Sequence, residues 1–192
     1  SLAGLIDMEH IGVVGYSYGG YTALASAGAR IDFTPLNAWC KQNADNPVVN
    51  STIGYILNCV FVLPVEEPIK SALGVNAGVG ELWPAFNVNS VDAIVPLAPW
   101  GIFFTSGGAK PITIPTLLMA GSGDTVLPID FNAAAVYKDI SSAYKTLVVF
   151  DNADHGIFAN TADDYLIQHG WYPFTSDSVW NMDRAHDLTN HF

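Results

Sequence analysis

The sequence predicts an α/β fold in which a mostly parallel sheet is flanked by helices, with a segment inserted between two of its strands. Four short apolar runs with their loops lie at 10–15, 91–99, 114–124 and 145–156. Stretches of helical composition alternate with these runs. Strands that alternate with helices form a parallel sheet, and chemically active groups gather at the carboxyl ends of its strands.

Composition favours one folded domain over residues 1–192. Apolar residues make up 50% of the chain and charged residues 13%, which excludes a disordered protein. No apolar run reaches the roughly 18 residues that a membrane span requires. Seven basic residues face 18 acidic ones, a net charge of -11, so nucleic acid is a poor partner. No motif indicates a metal or an organic cofactor.

The first elements surround a serine. The run 10–15, "HIGVVG", is typical of a buried parallel strand because it is β-branched and ends at glycine. Residues 19–30, "GGYTALASAGAR", are rich in Ala and small residues and predict a helix. Ser17 therefore lies on a tight turn between a strand and a helix.

Residues 31–90 have a different character. They are dense in Asn, Pro and Gly and show no sustained period, which predicts an inserted segment of short helices and loops. The segment holds both cysteines, Cys40 and Cys59. A disulfide between them is expected in an oxidising compartment, and two buried thiols are the alternative. The segment either borders the active site as a cap or lies at the periphery.

The remaining elements follow in regular order. The runs 91–99, 114–124 and 145–156 each predict a strand and its loop. Three helices are predicted between or after them, at 130–140, 163–172 and 178–192. In the first of these helices we expect Phe131, Ala135 and Val136 to face inward, and in the last we expect Ser178 to be the N-cap.

The turn after the first strand reads Gly15-Tyr16-Ser17-Tyr18-Gly19. In a G-x-S-x-G turn the serine adopts a strained backbone between strand and helix, and the glycines remove a collision between side chains. The strain exposes the hydroxyl, and the helix directs its free N–H groups toward it. Ser17 is thus a candidate nucleophile, and the N–H of Tyr18 a candidate oxyanion donor.

A serine nucleophile requires a base and a carboxylate that orients the base. Of five histidines, only His155 lies in a loop directly after a predicted strand. Asp124 ends the loop after the third strand, whereas Asp151 and Asp154 are rivals through their proximity to His155 in the sequence. The predicted catalytic residues are therefore Ser17, Asp124 and His155, in the order of α/β-hydrolases.

Three separated motifs resemble the α/β-hydrolase superfamily. "HIGVVGYSYGGYTALASAGAR" and "IPTLLMAGSGDTVLP" are similar to dienelactone-hydrolase-like and platelet-activating-factor-acetylhydrolase-like serine esterases, and "AHDLTNHF" to the last helix of that group. "APWG" followed by "IPTLLMAGSGD" resembles cutinase-like polyester hydrolases. The resemblance covers residues 8–30 and 91–192. It implies an α/β-hydrolase fold and a carboxylic ester, small or polymeric, as substrate.

The resemblance also suggests two substrate contacts. Trp100 occupies the position of an aromatic substrate contact in cutinase-like enzymes, although it could instead pack beside Pro99. Tyr16, directly before the serine, could line the acyl pocket or only pack. An amidase or peptidase of the same fold, or a non-catalytic protein, are the alternatives to an esterase.

Members of this superfamily carry about a hundred residues before the nucleophile, whereas 16 precede Ser17 here. The first strand would then expose an apolar edge. We therefore expect an N-terminal segment of the same protein to complete the fold and to supply the second oxyanion donor. The possible disulfide suggests a secreted or periplasmic location.

Overall fold

A computed structural model gives the architecture of the chain. Its described residues are 9–86, 90–160 and 176–191, with the isolated positions 4, 7, 88, 165, 168 and 169. The helix expected at 163–172 lies largely outside these residues. Among the helices of the described part, none is both long and apolar enough to cross a membrane.

Four strands form one parallel sheet in the order β1-β2-β3-β4. They are β1 (Gly12–Tyr16), β2 (Ala93–Leu97), β3 (Thr116–Gly121) and β4 (Lys145–Phe150). Each corresponds to an apolar run of the sequence, and chain order equals sheet order. Because the strands are parallel, the loops that follow them meet at one edge of the sheet.

Strand β1 lies at an edge of the described sheet. Its apolar run is typical of a buried strand, yet Val14 is 66% exposed, which agrees with the apolar edge expected for this strand. An apolar run shows that a strand is compatible with burial, but it does not show whether the strand is central or at an edge.

The helices lie on both sides of the sheet. Helix α1 (Tyr18–Ser26) packs against β1 and β2, and the described part of the chain contains five further α-helices. These are α2 (Thr34–Asn43), α3 (Ile53–Tyr55), α4 (Glu66–Leu73), α5 (Ala133–Asp139) and α6 (Met182–His191).

Two details of the helix predictions are wrong. Phe131 is 41% exposed because it belongs to a separate 3-10 turn before α5. Val136 is buried as expected, but Ala135 is only half-buried, and the other residue that α5 buries is Ala133. Ser178 is not the cap of the last helix, which begins four residues later at Met182. There the side chain of Asn181 accepts a hydrogen bond from the N–H of Arg184, as an N-cap does.

The inserted segment is helical over much of its length. Helix α3 continues as a π-helix over Ile56–Val62, and a 3-10 turn at Leu63–Val65 leads into α4. A disulfide joins Cys40 of α2 to Cys59 of the π-helix. The expected disulfide is therefore present, and it ties the two helical parts of the insert together.

The sheet is covered on both faces. Leu118 and Met119 are adjacent on β3, both are fully buried, and they belong to two different apolar clusters. Adjacent residues of a strand point to opposite faces, so each face of β3 has its own core. The larger cluster contains Leu24 of α1 and Leu36 of α2, and the smaller one contains Ile157. The site described next lies where these two cores meet the carboxyl edge of the sheet.

Candidate active site

Ser17 lies on the sharp turn between β1 and α1. Its backbone has φ 57° and ψ -112°, a conformation that non-glycine residues rarely adopt, and its N–H donates to the carbonyl of Leu97 at 2.9 Å. A Cβ atom on Gly15 would overlap the carbonyl of Gly19. The chain therefore needs glycine here to turn this tightly.

Two short hydrogen bonds connect three of the predicted residues. The Oγ of Ser17 lies 3.0 Å from Nε2 of His155, and Nδ1 of His155 lies 2.7 Å from Oδ2 of Asp124. The side chains of His155 and Asp124 are buried. A hydroxyl, an imidazole and a carboxylate in this order can make the hydroxyl a nucleophile.

The loop after β3 fixes the carboxylate. Oδ1 of Asp124 accepts the N–H groups of Val126 and Leu127 at 2.9 and 2.7 Å, so Oδ2 remains directed at His155. The rival carboxylates have other partners. Asp151 accepts the hydroxyl of Ser122, and Asp154 accepts the backbone N–H of His155 rather than meeting its ring.

Tyr16 lies against His155. Its hydroxyl donates to the backbone carbonyl of His155 at 2.9 Å, and the two ring centroids are 5.2 Å apart. Burial, followed by the negative charges of Asp124 and Asp154, raises the pKa of Tyr16 well above its usual value. The hydroxyl therefore remains a neutral donor at neutral pH.

Tyr18 is the first residue of α1. The first N–H groups of a helix have no acceptor within that helix, so the N–H of Tyr18 is in a position to donate to a ligand beside Ser17. The Tyr18 side chain is 64% exposed and does not take part in the chain of hydrogen bonds around His155.

Trp100 is attached to Ser17 through the backbone. Its N–H donates to the carbonyl of Ser17 at 3.2 Å. Its indole Nε1 donates to Oδ1 of Asn58 at 2.7 Å, and its ring meets that of Tyr18 edge-on at 6.4 Å between centroids. Trp100 thus lies beside Ser17 with its indole held by the inserted segment.

Three polar residues that support this site did not stand out in the sequence. Oδ1 of Asn132 accepts the N–H groups of Gly101 and Ile102, directly after Trp100, and Asp177 accepts the N–H of Asp154, directly before His155. The third is Asn58. It is the lone polar side chain in the run "GYILNCVFVLP", and that isolation was the one available signal.

Metal ligands can be assessed for the described residues. Within them, no three His, Cys, Asp or Glu side chains are grouped so that they could hold a metal ion. The imidazole of His155 is engaged with Ser17 and Asp124 instead.

The model of the PET hydrolase-like family matches residues 64–172, which is more than half of the chain. That stretch contains Asp124, His155 and Trp100 and the three strands β2 to β4. The parallel sheet with helices on both sides and this match together confirm the expected α/β-hydrolase fold. A comparison with curated proteins finds no match.

Solved structures are similar in part. A truncated carbohydrate esterase from gut microbiota is 13% identical with a TM-score of 0.39, covering 78% of this chain and 54% of that one. The Pyrococcus horikoshii acylaminoacyl peptidase is 13% identical with a TM-score of 0.41, covering 96% and 27%. The Paleococcus ferrophilus monoacylglycerol lipase is 18% identical with a TM-score of 0.36, covering 85% and 66%. The chain spans about half or less of the first two proteins.

Proposed function

The chain belongs to the PET hydrolase-like family, and we propose that it is a serine hydrolase that cleaves carboxylic esters through an acyl-enzyme. One observation carries this proposal. A strained serine at a strand-to-helix turn is hydrogen-bonded to a buried histidine, which is in turn hydrogen-bonded to a buried aspartate. That is the arrangement of nucleophile, base and orienting acid.

In the proposed first step, Nε2 of His155 takes the proton of Ser17 as Oγ bonds to the ester carbonyl carbon. The 3.0 Å separation of these atoms permits direct transfer. Asp124 holds Nδ1–H of the ring and stabilises the imidazolium that forms. The carbonyl oxygen becomes an oxyanion, which accepts a hydrogen bond from the N–H of Tyr18 at the start of α1.

The intermediate then collapses. The bond between the carbonyl carbon and the alcohol oxygen breaks, and the imidazolium of His155 gives its proton to the departing alcohol. Water, deprotonated by the same imidazole, attacks the acyl group on Ser17 and releases the carboxylic acid. As the bond between Oγ and the acyl carbon breaks, the imidazolium of His155 gives Ser17 the proton that it took from water, which restores the starting hydroxyl.

A fluorophosphonate probe and p-nitrophenyl acetate test the proposal. We expect Ser17→Ala to abolish labelling and to lower kcat/KM by at least about 10⁴-fold. Ser26→Ala is the matched control, because Ser26 ends the helix that Ser17 precedes and its hydroxyl donates to the carbonyl of Ala23, within the same helix. Unlabelled wild-type protein without esterase activity would overturn the proposal in favour of a non-catalytic protein. Faster cleavage of p-nitroanilides than of matched esters would favour an amidase.

We also propose that the protein functions outside the cytoplasm, in a secreted or periplasmic location. The Cys40–Cys59 disulfide supports this, because disulfides persist in oxidising compartments. Fractionation of the producing cells, with thiol labelling of the recovered protein, tests it. Recovery of the protein in the cytoplasm with both thiols reduced would contradict it.

A further inference from the structure

An apolar groove with a volume of about 230 Å³ opens beside Ser17. All ten residues that line it are aliphatic or aromatic. Two of them, Tyr18 and Trp100, are attached to Ser17, the first as its chain neighbour and the second through the hydrogen bond between its N–H and the Ser17 carbonyl. The groove therefore adjoins Ser17 through these two residues.

One wall of the groove comes from the elements around the sheet and the other from the inserted segment. Tyr21 and Phe103 extend the first wall from Tyr18 and Trp100. The facing wall contains Val62 at the end of the π-helix, Val65, and Ile69 of α4. Val65 and Ile69 are each 38% exposed, so they present apolar surface that a ligand can cover.

We propose that this groove binds the acyl chain of the ester, and that the insert wall sets which chain lengths are accepted. This inference rests on the proposed esterase function. Linear aliphatic acyl groups suit the site because they bring no polar atom into a lining whose surface is mainly carbon.

The position of His155 distinguishes the acyl side from the alcohol side. His155 must lie next to the alcohol oxygen in order to protonate it as it leaves. The rings beside His155 are Tyr16 and, behind it, Phe158, which pack with the smaller core. Trp100 packs against the larger core, which covers the other face of the sheet, and the ring of Tyr18 meets that of Trp100 edge-on. We therefore assign the acyl part to the flank of Trp100.

Three attachments make the insert a fixed wall. Oδ1 of Asn58 holds the indole of Trp100, and Cys59 is bonded to Cys40. Gly54 lies so close to the backbone of Thr125 and Val126 that a Cβ there would collide with both carbonyls. The insert is thus docked on the loop that carries Asp124 as well as on the loop that carries Trp100.

The inference predicts a dependence on acyl length. Each methylene group buried in the groove should raise kcat/KM about fourfold, until the groove is full. We expect p-nitrophenyl octanoate to be preferred over the acetate, with the alcohol held constant. Lengthening a primary aliphatic alcohol at constant acetate, which keeps the acidity of the leaving group nearly constant, should change kcat/KM by a much smaller factor.

Ile69→Asp tests the insert wall, with Leu73→Asp as its matched control. Leu73 is one helical turn further along α4, is 56% exposed and does not line the groove. We expect Ile69→Asp to lower the octanoate-to-acetate ratio of kcat/KM at least tenfold, because the octanoyl chain is long enough to reach the insert wall and the acetyl group is not. Leu73→Asp should leave the ratio unchanged. Should Ile69→Asp fail to fold, Ile69→Trp is the second variant. Its larger side chain fills the groove, so we expect kcat/KM to fall for octanoate and not for acetate.

The outcomes separate this inference from the proposed function. An unchanged ratio in a folded Ile69 variant, or an equal fall for both esters, overturns the acyl-groove assignment while esterase activity stands. A wild type that discriminates alcohols rather than acyl chains overturns it as well. Failure of the wild type to cleave either ester or to react with the fluorophosphonate overturns the proposed function itself.

Discussion

Replacing Tyr16 by phenylalanine tests how the base is held in place. The substitution removes the hydroxyl that donates to the His155 carbonyl and leaves the ring beside the imidazole. A buried carbonyl that loses its donor costs about 1–3 kcal/mol, and Tyr16 is only half-buried, so we expect about 1–1.5 kcal/mol. For a domain of this size, 1 kcal/mol corresponds to about 2–4 °C in Tm. Tyr16→Phe should therefore melt about 2–6 °C below wild type.

The same substitution should reduce catalysis through geometry. Proton transfer depends on the 3.0 Å separation between His155 and Ser17, and a looser His155 backbone makes that geometry less populated. A loss of about 1 kcal/mol in that positioning corresponds to a roughly fivefold fall in kcat. KM for octanoate should stay within about twofold, because Tyr16 lies on the flank opposite the groove. Thermal denaturation and initial rates on p-nitrophenyl esters measure these effects.

The control and the refuting result are both simple. Tyr144→Phe removes a hydroxyl from a side chain that is 77% exposed, and it should change neither Tm nor kcat. If Tyr16→Phe melted and turned over like wild type, the hydrogen bond to His155 would contribute nothing. A rise in KM without a fall in kcat would instead place Tyr16 in the substrate-binding surface.

The raised pKa of Tyr16 predicts how its contribution to stability depends on pH. Burial, and then the charges of Asp124 and Asp154, raise the pKa of Tyr16 in the folded protein. A group with a raised folded pKa contributes stability that is fully present below its unfolded pKa, about 10, and is lost as the pH rises. The stability difference between wild type and Tyr16→Phe should therefore shrink above about pH 10, as measured by urea denaturation at several pH values.

Three further predictions follow. Asp124→Asn should lower kcat about 10⁴-fold, because the amide favours the wrong tautomer of the His155 imidazole, while fluorophosphonate labelling slows rather than vanishes. A fall in kcat of less than tenfold would contradict the role of Asp124 in orienting His155. Replacing Cys40 and Cys59 together by serine opens a link with a sequence separation of 19 and should cost about 3 kcal/mol by urea denaturation, whereas an unchanged midpoint would exclude a stabilising role. Burial, followed by the charge of Tyr18, raises the pKa of Tyr21 to about 12. An ultraviolet titration should therefore show Tyr21 ionising near pH 12, and its contribution to stability should be lost as the pH rises from about 10 through 12. Ionisation near pH 10 would contradict its burial.

Local signals in the sequence were sufficient for much of this fold. The four strands follow from apolar runs that end in small or acidic residues, and the turn at Ser17 follows from the two glycines that flank it. His155 and Asp124 could be selected because both come directly after strands, and parallel strands bring their following loops to one edge. Each of these patterns depends on residues that are close together in the sequence, so each could be recognised without knowing the rest of the fold.

What the sequence could not predict depends on partners distant in the chain. No period in residues 31–90 indicates that Asn58 reaches Trp100, 42 positions away, or that Gly54 packs on the loop of Asp124. The start of the last helix was mispredicted because a neighbouring turn competes with it. Ser178 has a good capping side chain, but the local turn at Asp177, which accepts the N–H groups of Val179 and Trp180, delays the helix.

The two cores divide the candidate site into parts that can change separately. The base is held from the side of the smaller core, through the Tyr16 hydroxyl and the Asp177 carboxylate that accepts the N–H of Asp154. The groove wall is held from the side of the larger core and the insert, through Asn58 and the disulfide. Substitutions that share no partners and lie apart usually have additive effects. Changes on the insert face should therefore alter acyl preference without loss of turnover, whereas the close packing of Gly54 on the Asp124 loop marks a place where the two parts are coupled.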